Sequence, residues 1–160
     1  MGESARLADQ LHKALQSDAA WYGPSWKQTL EGLSFSDALR RPVAHGHSIG
    51  EIVLHTITWH EVATKRLTGG TPPQPTDEED WRKATFDSDT GWEAVKHRLF
   101  VTGAALADAI GAFPDAQWDE QRPNNAGTWY NLACGMLQHD LYHLGQVGLL
   151  KKAAEKAPVS

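Results

Sequence analysis

The chain has 160 residues, a formal net charge of −5 from 20 acidic and 15 basic side chains, and a single cysteine, Cys134. That length fits one domain over residues 1–160 with a substantial core, and the acidic balance without a block of Lys or Arg argues against nucleic acid as a partner. One cysteine excludes an internal disulfide and a cysteine metal cage, the N-terminus lacks a signal-like apolar run, and no segment approaches the ~20 apolar residues that span a bilayer, so a cytoplasmic protein without membrane partners is expected.

Apolar residues recur at helical spacing from residue 4 to about residue 31 (Leu7, Leu11, Leu15, Trp26, Leu30), but Gly23 and Pro24 fall among them. Proline removes a helical hydrogen bond and clashes with the preceding turn, so a kinked or two-piece first helix is predicted. A connector over residues 34–46 carries Pro42, with room for a short turn at 36–39. Ser48 followed by Glu51 reads as a capping box that opens a second helix running to about Thr68, before Gly69 and Gly70. The stretch TPPQPTDEED is linker, in which Thr76 and Glu79 suit the cap of a brief turn and the acidic run reads as a solvated helix start. A third helix over about 89–112 places Trp92, Val95, Leu99, Thr102, Leu106, Ala109 and Phe113 on one seam. Pro114 and a polar connector end it, and a fourth helix over about 128–154 follows, with Lys151 and Lys152 near its negative end. No strand alternation is visible, so the expected class is all-α, a four-helix bundle with long connectors.

The chemistry concentrates in the fourth helix. Leu132, Met136, His139, His143, Gln146 and Leu150 follow one another at steps of four and three, a stripe apolar at its ends and polar in its middle. Residues four apart on a helix differ by about 6 Å in rise and about 40° in azimuth, so His139 and His143 have chelating geometry. Core histidines satisfied by hydrogen bonds would give the same spacing, but a metal ion satisfies two buried rings with one object. A third ligand must come from elsewhere, and the second helix offers two: His55 on a stripe with Ile52, Trp59 and Val62, and His60 on a stripe with Val53, Ile57 and Leu67. Pattern alone does not choose between them. His12 and His97 lie off the apolar seams and read as solvated. His45 and His47 read as turn residues, with His47 near enough in sequence to approach the end of the bundle. Cys134 lies off the histidine stripe and reads as a small filler.

The segments HSIGEIVLHTITWH, from His47, and MLQHDLYHLGQVGLLKK, from Met136, resemble the DinB-like (YfiT-like) metalloenzymes, small bacterial four-helix bundles with three histidine ligands. The second segment is the more specific, with two histidines separated by three residues and followed by Gly-Gln. The resemblance implies His55, His139 and His143 as metal ligands. Where family members often carry tryptophan before the second helix, this chain has His47. The family is similar to enzymes that use low-molecular-weight thiols as cosubstrates and to metal-dependent hydrolases, which implies a thiol-dependent S-transferase or related hydrolase acting on a small molecule. Three imidazoles leave open positions on a divalent ion, zinc or nickel first and iron or manganese next, where a water or thiol loses its proton easily. Gln146, Tyr142 and Asp140 are candidates for orienting a ligand or bound water. A non-catalytic metal-binding or stress-response bundle and a purely structural bundle are the competing readings. The amphipathic, Trp-rich helices also permit a homodimer.

Overall fold

A computed structural model describes residues 1–18 and 20–156, the side chains of 155 and 156 excepted. The described residues form seven α-helices: α1 Glu3–Gln16, α2 Trp26–Leu30, α3 Phe35–Leu39, α4 Ile49–Leu67, α5 Asp77–Asp80, α6 Asp89–Ala112 and α7 Trp129–Lys156. They contain no strand, only an isolated antiparallel bridge between Gln121 and Thr128. The four long helices make the bundle: α6 packs against both α1 and α4, and α7 closes the ring against the same two. This is the all-α four-helix bundle expected from the periodicity, and the predicted two-piece first helix is realised as α1 and α2, separated by residues 17–25.

Helix starts are specified locally. Ser48 accepts from the Glu51 amide while Glu51 accepts from the Ser48 amide at 3.0 Å, and Thr76 and Glu79 do the same at α5. Two further capping boxes, Ser25 with Gln28 and Ser34 with Asp37, start α2 and α3. These reciprocal bonds satisfy donors that a helix start otherwise leaves orphaned. At α1 the cap comes from across the fold: the Asp115 carboxylate accepts from the Ser4 amide at 2.8 Å and from its hydroxyl at 2.5 Å, and these bonds hold the Asp115 carboxyl below its usual range. Trp118 Nε1 donates to the same hydroxyl at 2.9 Å, so the chain after α6 is fastened to the start of α1.

The core lies between the four long helices. Leu11, Leu15, Ile57, Leu99, Leu106, Ile110 and Val147 are fully buried within it, and each such side chain contributes about 1.5–3 kcal/mol on leaving water. Trp26 and Trp92 are fully buried too, and Trp92 Nε1 donates to the Leu33 carbonyl at 3.0 Å. The α6 seam is wider than the predicted one, since Gly103, Ala107 and Ile110 are buried beside it. At Gly103 any Cβ would meet Leu15 methyls at 2.7 and 2.8 Å and His60 Cε1 at 3.2 Å, so a hydrogen is what lets α6 approach α1 and α4 this closely. Lys151, near the end of α7, donates to the Thr29 and Glu31 carbonyls at 3.0 and 2.7 Å and ties α2 to the bundle. His12 and His97 are exposed, as their off-seam positions imply, and Cys134 is half-buried against the core.

Candidate metal centre

The fold brings three imidazoles to one point. His55 Nε2, from α4, lies 2.9 Å from His139 Nε2, from α7, and His143 Nε2 lies 3.1 Å from the same atom. His55 and His143 are buried and His139 is half-buried. Three nitrogens bound at about 2.1 Å to one ion, at angles between octahedral and tetrahedral, stand about 3.0–3.4 Å apart. The spacing across the helix interface therefore matches ligands around a shared cation, and the group can hold a metal ion.

Hydrogen bonds on the far side of two rings fix which nitrogen faces inward. His55 Nδ1 lies 2.8 Å from Asp80 Oδ1 and 3.1 Å from the Asp80 carbonyl, both acceptors, so it carries the proton. His143 Nδ1 donates to Gln146 Oε1 at 2.7 Å by the same logic. Both Nε2 atoms then present lone pairs to His139, and a proton on His139 Nε2 serves one of them at a time. His139 Nδ1 is buried without a partner, so no outer bond fixes this ring. A cation between the three Nε2 atoms removes the lone-pair conflict, which is the test the donor set passes.

Electrostatics favour the neutral, ligating form of each ring. Burial pushes the His139 pKa down to about 3, with His143, His55 and His60 adding repulsion. Burial also lowers His55 against the opposing pull of Asp80, and lowers His143 against the opposing hydrogen bond from Gln146.

The wall around the triad comes from a segment with no periodicity to read. The short helix α5 lies on α4: the Thr58 hydroxyl is 3.2 Å from the Glu79 carbonyl, and Trp59 Nε1 donates to Asp80 Oδ1 at 2.6 Å. Residues 77–79 of the acidic run are exposed as expected, but Asp80 turns inward and serves His55 and Trp59 together. Trp81 stacks on His55 at 3.9 Å with a 6° interplanar angle, and His47 stacks on Trp81 at 3.7 Å and 10°. His47 is thus an aromatic neighbour of the site at one remove, and its Nδ1 sits 3.6 Å from Glu51 Oε2. Trp59 stands edge-on to His55 and His139 at 6.5 and 6.3 Å.

The structure separates the two histidines that the stripes of α4 left tied. His60 is fully buried but points elsewhere: its Nε2 lies 2.9 and 3.1 Å from the two Asp140 oxygens, and its Nδ1 3.3 Å from Thr102 Oγ1. Asp140, one residue after His139 and fully buried, therefore holds His60 and joins α7 to α4 below the triad. Gln146 bonds His143, while Tyr142 is 64% exposed and touches the site only through an edge-on contact of 5.1 Å with the His143 ring. Tyr22, in the loop before α2, was not singled out by spacing; burial and then the Asp140 charge hold its hydroxyl above its usual range.

An all-helical bundle with a convergent triad of imidazoles, two buried and one half-buried, is the class that fold and site define. The family model for the DinB superfamily matches residues 24–147, a span that includes all three triad residues, and the chain belongs to that superfamily. No curated protein and no solved structure matches it.

Proposed function

We propose that the chain is a metal-dependent enzyme, a thiol-dependent S-transferase or a related hydrolase acting on a small molecule, with His55, His139 and His143 holding a divalent ion. The observation that carries this reading is the approach of three Nε2 atoms to 2.9 and 3.1 Å with outward bonds that leave lone pairs facing inward. Zinc or nickel suits three imidazoles best, and iron or manganese is admitted by the same donors. Such an ion supplies Lewis acidity and lowers the pKa of a water or thiol that reaches it.

The chain's own residues then have distinct tasks. Asp80 and Gln146 hold the protons on His55 Nδ1 and His143 Nδ1, which fixes tautomer and ring direction. Trp81 covers one face of His55 and keeps water from it. Tyr142, exposed beside His143, meets whatever approaches from solvent. In this reading residues 1–160 act as a single cytoplasmic domain, without nucleic acid or membrane, as a monomer or a homodimer.

The test is turnover with and without metal. Protein loaded with zinc or nickel is incubated with an electrophile and a panel of low-molecular-weight thiols, and separately with amide and ester substrates. Conjugate or hydrolysis product that vanishes on chelation and in His139→Ala supports the enzyme. Stoichiometric metal with no turnover across the panel supports the non-catalytic metal-binding bundle.

A further inference from the structure

A cleft of about 620 Å³ opens between the end of α4 and the start of α7. Its wall includes Arg66, Pro72, Gln74, Arg122, Asn124 and Trp129, and no Asp or Glu contributes to it. In a chain where acidic residues outnumber basic ones 20 to 15, two guanidiniums facing one cavity without a carboxylate are unexpected. Arg6, Arg41 and Arg98 each pair with a glutamate, whereas Arg66 and Arg122, like Arg40 and Arg82, form no ion pair among the described residues; only Arg66 and Arg122 share one cleft.

Their donors are largely unspent. A guanidinium carries five N–H donors in a rigid fork that suits carboxylate and phosphate. Arg66 uses one, from Nη2 to Gln74 Oε1 at 3.1 Å, and Arg122 donates from Nη2 to the Ala126 carbonyl. Arg122 Nε is buried with no partner. Burial and then the charge of Arg122 lower the pKa of Arg66, so the two cations sense each other with no counter-charge between them. Like charges held this way favour an anion that sits between them.

Trp59 stands between the Arg66 side of the cleft and the triad. The Arg66 guanidinium lies 6.0 Å from the Trp59 ring, and Trp59 in turn stands edge-on to His55 and His139. Along α4, Arg66 lies eleven positions after His55, a rise of about 16 Å.

We infer that this cleft binds the anionic end, carboxylate or phosphate, of a small molecule, with Arg66 and Arg122 as its recognition groups and Trp129 as an apolar wall. That the anion belongs to the substrate or cosubstrate rests on the proposed function. The binding itself does not need the metal.

The experiment titrates inorganic phosphate and succinate separately into the full chain and follows indole resonances by NMR. Arg66→Gln, Arg122→Gln and the double variant are compared with Arg40→Gln as a distant control, since Arg40 bonds the Ala154 carbonyl at the far end of α7 from Trp129, and each series is repeated on chelated protein. Saturable shifts with at least one of the two anions are expected, weakened at least tenfold in the double variant, severalfold in each single, and less than twofold in the control. Response to one anion alone assigns the group recognised. Both half-buried arginines lie near the surface, and indole resonances that stay dispersed and unchanged for every tryptophan except Trp59 and Trp129 confirm before titration that each variant is folded; if the double variant fails this check, the singles decide. No saturable binding, or binding unchanged in the arginine variants, overturns the inference. So does phosphate binding that disappears on chelation yet survives both substitutions, because the anion then sits on the metal. Arginine-dependent binding that persists in chelated protein is expected; if the parent chain also fails to take up zinc or nickel when offered them, the cleft stands and the metalloenzyme reading falls.

Discussion

Replacing His60 by leucine probes the joint on which the triad stands. His60 and Asp140 are each completely buried, with the imidazole Nε2 2.9 and 3.1 Å from the two carboxylate oxygens. His60→Leu removes the donor to both oxygens and leaves a carboxylate sealed between α4 and α7. Breaking a buried pair from one side costs about 3–5 kcal/mol, a large share of the roughly 5–15 kcal/mol that holds a domain together. At about 2–4 °C per kcal/mol for a chain of this size, the midpoint should fall by about 6–20 °C. Asp140→Leu should cost a similar amount, and the double variant should cost less than the sum by about 1 kcal/mol or more, because no group is then stranded. Urea and thermal unfolding followed by circular dichroism, on chelated protein so that metal adds nothing, measure all three variants. A His60→Leu loss below about 1 kcal/mol, or strict additivity in the double variant, would refute the reasoning.

Asp80→Ala strips the carboxylate from His55 Nδ1 while leaving the backbone carbonyl, and metal affinity in a chelator competition should fall about 10- to 100-fold; an unchanged affinity would show that Asp80 does not orient the ring. The three triad histidines all have depressed pKa values, so in metal-free protein the unfolded chain binds more protons than the native one between the ordinary histidine range and the acid end. Stability should therefore be complete above a pH of about 6.5 and decline as pH falls from there toward the native His139 value of about 3. The His139→Ala variant should show a shallower decline by urea titration at stepped pH, and an identical slope would contradict the shift.

Much of this was legible in the residues. Ser48 and Glu51 mark the start of α4 because a capping box is a local device, and the 89–112 seam predicts α6 because its periodicity persists over many turns. The stripe through His139, His143 and Gln146 is realised intact, since residues along one face of a long helix keep their mutual geometry wherever the helix docks. His55 and His60 could not be separated by pattern because both are buried; what distinguishes them is the partner opposite, Asp140 for one and the triad for the other. Asp80 and Trp81 were illegible for another reason. A four-residue helix has no period, and its acidic sequence looks solvated until Thr58 and Trp59 pin it onto α4. The arginine cleft joins residues 66 and 122, which only the closing of α7 onto α4 brings together.

Elemental analysis of untagged protein, repeated on His55→Ala, His139→Ala, His143→Ala and His60→Leu, bears most directly on the triad. Stoichiometric divalent metal in the parent and in His60→Leu, with loss in each of the three triad variants, is the predicted result. Metal retained in all three triad variants, or lost on changing His60 while His55 proves dispensable, would contradict it.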